Sequence, residues 1–163
     1  KVKNNDHYDE WVQSGHLYQC DGETIDYQDV EEHIRQDLSI FDIEQIFFDP
    51  HGAAYLAQRV SKSENIKAVK VGQTYTTFSA PMRAFESLLK AGRIHHDGNP
   101  CLSWMFGKVV AKETEDGKMM RPVKENREKK IDGAVAALMA FIAAYQPEDY
   151  DDMTDFLQDP IIV

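Results

Sequence analysis

The sequence predicts an α/β fold, a largely parallel sheet flanked by helices. Two compact apolar runs, IEQIFF (43–48) and IKAVKV (66–71), each give way to a helical pattern. Parallel strands need such helical crossovers, and strand–helix–strand–helix order supplies them. With 163 residues, 42% of them apolar and 10% aromatic, the chain is one domain in length with enough apolar surface for a core. That composition excludes wholesale disorder.

Each element has a local cause. Residues 6–14, DHYDEWVQS, put Tyr8, Trp11 and Val12 on one side of a helix that Gly15 stops. HLYQC (16–20) reads as a short strand ending in an Asp21-Gly22 turn. Asp26 is an N-cap for a helix over 27–38 whose stripe is Val30, Ile34 and Leu38. The strand 43–48 is apolar on both faces, which predicts a central position, and Asp49-Pro50 ends it. A helix over 51–61 with Ala54, Leu56, Ala57 and Val60 leads to the strand 66–71. Ser79-Ala-Pro81 opens a third helix with Met82, Phe85 and Leu89 inward, and Gly92 closes it. A His-rich loop (94–100) precedes a short helix holding Leu102, Trp104, Met105 and Phe106. Asp116-Gly117 marks a hairpin between VVAKETE and KMMRPVK. Asp132 caps a last helix that is apolar nearly all round and so must pack on several sides.

The chain carries 18 Lys+Arg against 28 Asp+Glu, a net charge of −10. The last seventeen residues, 147–163, hold six acids and no base, leaving 18 against 22 in residues 1–146. This divides the chain into a mildly acidic body, 1–146, and an acidic tail, 147–163. A passive nucleic-acid binder is basic, so any DNA contact must be local, ion-mediated or made by other domains. Residues 108–130, with eight Lys/Arg against five acids, are the sustained basic stretch. The longest apolar run, Ala134 to Tyr145, is twelve residues, short of the ~20 of a membrane span. The N-terminal KVKNNDHYDEW lacks the apolar region of a secretory signal. Cys20 and Cys101 form no CxxC, so a reducing, intracellular setting is expected without a disulfide framework or zinc knuckle.

Several sites can be struck out: there is no GxxxxGK[ST], no GxGxxG after a strand and no GxSxG. His95-His96-Asp97 could suggest a metal site, but adjacent side chains rarely aim at one ion, so surface-loop histidines are expected. Asp49 follows a buried strand, where α/β sheets place ligands; equally, it could simply start an Asp-Pro turn. Asp132 could serve only as an N-cap, or it could be a carboxylate on a rigid mount. If the two meet, they could hold divalent cations for in-line attack on a phosphodiester. Spacing alone does not bring them together.

Five segments in order resemble the C-terminal nuclease domain of bacteriophage terminase large subunits, the DNA-packaging motor proteins. They are YDEWVQSGHL (8–17), ETIDYQDVEEHI (23–34), IEQIFFDPHGAAYLAQRV (43–60), VGQTYTTFSAPMRAFESLLKAGRIHHDGNPCLSWM (71–105) and KENREKKIDGAVAALMAF (124–141). The resemblance implies an RNase H-like fold that cleaves concatemeric double-stranded DNA with two Mg²⁺ or Mn²⁺ ions. It maps the family's second catalytic carboxylate, after the strand resembling IFFD, to Asp49, and the third, in the motif resembling KIDG, to Asp132. Both become metal ligands, with no covalent enzyme intermediate. Lys118, Arg121 and Lys124 of the basic hairpin are candidate phosphate contacts, the alternative being a solvated charged face. Gln73 matches a recurrent glutamine, structural or DNA-facing, and His95 and His96 match the pattern with no role to carry over. The implied partners are double-stranded DNA and, in the intact protein, an N-terminal ATPase domain, the small terminase subunit and the portal, in the host cytoplasm and without a membrane.

The family's first catalytic Asp lies on an opening strand upstream of the segment resembling YDEW. Asp6, Asp9, Asp21 and Asp26 do not lie in an apolar strand, and the first residue is not Met. The expectation is therefore a nuclease domain truncated at its N-terminus, weak or inactive alone. Lys108 also stands where Asn is frequent. The rival reading is a non-catalytic docking or DNA-guiding module of the motor. In either case the tail, with Phe156, Leu157, Ile161, Ile162 and Val163, is a disordered segment or a docking peptide.

Overall fold

A computed structural model describes residues 6–20 and 22–145, with the backbone of 161–162. The element order is α1 (Asp6–Gln13), α2 (Tyr27–Ile40), β1 (Gln45–Phe48), α3 (Pro50–Glu64), β2 (Lys67–Lys70), α4 (Tyr75–Lys90), β3 (Ile94–His95), α5 (Pro100–Phe106), β4 (Val109–Glu113), β5 (Met120–Lys124), α6 (Asp132–Ala144) and β6 (Ile161–Ile162). β1 and β2 are parallel, in register from Gln45 against Lys67 to Phe48 against Lys70, with α3 as the crossover. β4 and β5 form the expected hairpin, and Gly117 takes the positive φ of 68° that its turn demands. β3 pairs with β6 in parallel. The fold is thus a mixed α/β arrangement.

The core lies between α4 and α6. Phe78, Leu88 and Phe141 are fully buried, each contributing about 1.5–3 kcal/mol by the usual transfer scale. Phe85 meets Phe141 edge-on at 5.2 Å and stacks on Phe106 at 5.5 Å. α6 touches α4, α5 and β1, which is why it is apolar on nearly every side. At the periphery α1 docks on α5 through Trp11 and Trp104, whose rings are 5.6 Å apart, and Lys108 places its ammonium over Trp104. No helix among the described residues is long and apolar enough to cross a membrane.

Four expectations are corrected. β1 has only β2 as a strand neighbour among the described residues, so it is not central there; α3 and α6 cover it, and its apolar faces report helices rather than flanking strands. HLYQC is not a strand, because the His16 and Leu17 amides turn back to the Trp11 carbonyl at 2.8 and 3.1 Å. α4 begins at Tyr75, capped by the Thr74 hydroxyl accepting from the Thr77 amide at 3.1 Å, and Pro81 lies inside it. In that phase Leu88 is buried and Leu89 is 53% exposed. Asp132 is not an N-cap, as described below. The readings of Asp21 and of the acidic tail fall outside the described residues, apart from the backbone of 161–162.

Candidate active site

The parallel register of β1 and β2 determines what lies beyond their carboxyl ends. The Val71 amide donates to the Phe48 carbonyl at 2.9 Å, so both chains leave the sheet side by side. Asp49 follows on one and Gln73 on the other. Asp49 caps α3: its Oδ1 accepts from the His51 amide at 2.9 Å, while Oδ2 accepts from Gln73 Nε2. The Asp-Pro turn and the crevice-facing carboxylate are therefore the same residue in both roles. The His51 N–H holds this carboxyl below its ordinary range; partial burial opposes the shift, and Gln73 and the His51 ring add to it. Gly52, at φ 93°, lets the chain bend before the regular helix begins.

Asp132 is built differently. Ile131 occupies the N-cap of α6 without a side-chain cap bond, and Asp132 is the first helical residue. The next amide, that of Gly133, points at Met105 Sδ, 3.1 Å away. A Cβ at Gly133 would meet that sulfur at 2.9 Å, so glycine is what lets α5 approach the start of α6. The Asp132 carboxylate is exposed, with no hydrogen bond or ion pair among the described residues.

Asp49 and Asp132 line one cleft of about 400 Å³, together with Gln73, Arg121 and Lys124, over an apolar floor that includes Ile131, Val135 and Met139. Arg121 lies over the Tyr75 ring, 5.2 Å from its centroid, and makes no ion pair among the described residues. Its fork of donors is free to meet an anion. Lys118 is not part of this lining; it sits in the hairpin turn, 3.6 Å from Asp116. His96 is elsewhere, accepting from the Gly98 amide at 3.0 Å and bordering a separate cavity with Phe85 and Phe106. His95 is an exposed residue of β3.

The donor set can be tested against a divalent metal. Carboxylate oxygens are hard donors of the kind Mg²⁺ and Mn²⁺ prefer, and Mg²⁺ keeps several waters while taking one or two carboxylates. In donor type, the Asp49 and Asp132 carboxylates suit a hydrated ion of this kind. Among the described residues no three His, Cys, Asp or Glu side chains gather, so two ions would exceed what this lining offers. Sequence reasoning missed Tyr75, having started α4 too late, and missed that Gly133 serves packing. A Thr74-x-x-Thr77 cap was the signal for the first; the second depends on a contact 28 residues away in sequence.

Over residues 1–148 the chain matches the family described as terminase large subunit, endonuclease domain. Protein YmfN of Escherichia coli (strain K12) is 36% identical over 152 residues, covering 93% of this chain and 33% of that protein. The terminase large subunit of Enterobacteria phage HK97 is 27% identical over 158 residues, 94% of this chain and 31% of that one. The chain spans about a third of the length of these curated relatives. The crystal structure of the HK97 bacteriophage large terminase superposes with a TM-score of 0.72 at 26% identity, over 83% of this chain and 28% of that one.

Proposed function

Because this chain belongs to the terminase large subunit endonuclease family and has its RNase H-like α/β fold, we propose that it is the metal-dependent nuclease part of a phage DNA-packaging motor. Its substrate on this reading is concatemeric double-stranded DNA. The observation that carries it is the shared cleft, where two carboxylates, Asp49 and Asp132, face Arg121 and Lys124.

Asp49 and Asp132 are the residues that would hold Mg²⁺ or Mn²⁺. Such an ion, when bound, would supply an acidified water and offset charge on the leaving oxygen. Arg121 and Lys124 supply what the ion does not, donors for the non-bridging oxygens of the phosphate. Tyr75 holds the Arg121 guanidinium in place without neutralising it. Lys118, outside the cleft, extends the basic track along the duplex. Two ions, as in the two-metal scheme, call for an acidic ligand beyond those that line the cleft among the described residues. Residues 1–146 form the nuclease body and 147–163 the tail. In the intact protein an ATPase domain, the small terminase subunit and the portal are its partners in the host cytoplasm.

The test is plasmid cleavage by the intact protein in Mg²⁺ and in Mn²⁺. Asp132→Asn should abolish cleavage and leave ATP hydrolysis and folding unchanged. Cleavage near the parental rate would remove Asp132 from the site and favour a docking or DNA-guiding role.

A further inference from the structure

We propose that Gln73 is a positioning residue for the Asp49 carboxylate, fixing its plane for the ion the cleft would take; this rests on the metal-dependent reading above. A carboxylate can only accept, so the amide nitrogen of Gln73 is the end that must face Asp49 Oδ2. Oδ1 is already taken by the His51 amide, and a carboxylate held through one oxygen can still rotate about its terminal bond. The second bond, arriving from a different element on the other oxygen, removes that freedom.

Gln73 is suited to the task because its backbone is pinned on both sides. Upstream, the Val71 amide is tied to the end of β1 at Phe48. Downstream, the Thr74 amide donates to the Gly72 carbonyl at 2.8 Å, and the Thr74 hydroxyl caps α4. A glutamine on a flexible loop would gain little by choosing a carboxylate over water. Here the exposed side chain reaches across 24 residues of sequence to a single partner, and both border the same cleft. The arrangement is that of an outer-shell hydrogen bond that orients a metal-binding carboxylate.

The experiment measures Mn²⁺ binding to this chain by the spin-resonance signal of free Mn²⁺, with thermal melting in parallel. Gln73→Leu and Gln73→Met both remove the donor while keeping bulk. Losses of outer-shell partners weaken metal binding about 10–100-fold, and that weakening is expected here with the fold intact and the melting temperature lowered by only a few degrees. Asp49→Asn and Asp132→Asn are the controls. If they weaken Mn²⁺ binding and both Gln73 variants bind as the parent does, Gln73 does not position Asp49. If neither Asp variant changes binding, the metal reading itself fails and takes this inference with it. If one Gln73 variant unfolds, the other decides; if both unfold, Gln73 is a structural residue and the assignment is overturned.

Discussion

Replacing Asp49 separates its structural duty from its proposed chemical one, since asparagine can perform the first and not the second. Asn ranks with Asp as an N-cap, so in Asp49→Asn the side-chain oxygen would keep the His51 amide. The new amide nitrogen would then face Gln73 Nε2, donor against donor. Turning the Gln73 amide over presents its oxygen instead and restores a bond, now neutral. A hydrogen bond to a charged group contributes about 1.5–3 kcal/mol and a neutral one about 0.5–1.5. With the Asp49 side chain 25% exposed, the low end applies, and Asp49→Asn should cost about 1 kcal/mol or less. Asp49→Ala loses the cap as well, for about 1–2 kcal/mol. The carboxyl titrates lower in the folded chain than in the unfolded one, so its contribution is complete above its ordinary pKa. That contribution disappears as pH falls through the folded value. The stability gap between parent and Asp49→Asn should therefore be widest at neutral pH and close in acid, as read by urea unfolding. Plasmid cleavage by the intact protein should vanish in both variants. Cleavage by Asp49→Asn near the parental rate would refute the ligand role; an Asn variant as unstable as the Ala variant would refute the capping argument.

In the same intact protein, Arg121→Gln and Lys124→Gln should each flatten the salt dependence of DNA binding by about one unit of slope and also slow cleavage at saturating DNA. Lys118→Gln should flatten the slope and leave the saturated rate alone; a slowed rate would bring Lys118 into the cleft. Glu31, with its side chain 3% exposed, is bound by Arg59 through Nη2 at 3.0 Å and through a less well aligned Nε at 2.8 Å. Breaking a buried pair costs about 3–5 kcal/mol, but Arg59 is 42% exposed and Arg35 Nη2 still reaches Glu31 at 3.4 Å, so Arg59→Leu should cost about 1–2. A loss below about 0.5 kcal/mol, the scale of exposed pairs, would mean that water replaces it. Gly133→Ala gains about 1 kcal/mol of helix propensity but drives Cβ into Met105, an overpacking cost of about 1–3. It should be neutral to destabilising, and Met105→Ala should reverse the sign of its effect; additive behaviour would break that link.

Elements driven by local chemistry were legible in the sequence. The apolar runs at 43–48 and 66–71, the Asp116-Gly117 turn and the apolar helix from Asp132 all lie where patterning places them. The failures share a cause: a tertiary partner outweighed a local signal. Pro81 reads as a helix start, yet Thr74 caps the helix earlier and the buried face of Phe78, Phe85 and Leu88 carries it past the proline. Asp132 reads as a cap, yet Met105 sulfur takes the amide of the next residue. The site was half legible. Strand-end logic and the family resemblance picked out Asp49 and Asp132, but the Gln73 bond exists only because the strands are parallel and in register, which spacing does not encode.

The charges of the cleft and of the whole chain bear on how a duplex would reach the site. Arg121 and Lys124 on β5 line the cleft together with the two carboxylates, and Asp49 is held through both of its oxygens. Asp49 is therefore oriented by protein groups, and on the proposed reading catalytic competence depends on an added ion. Beyond the screening length of about 8 Å a chain of net charge −10 offers a polyanion no long-range pull, so affinity must come from contact. On the proposed reading, the rest of the packaging motor would bring the duplex into the cleft.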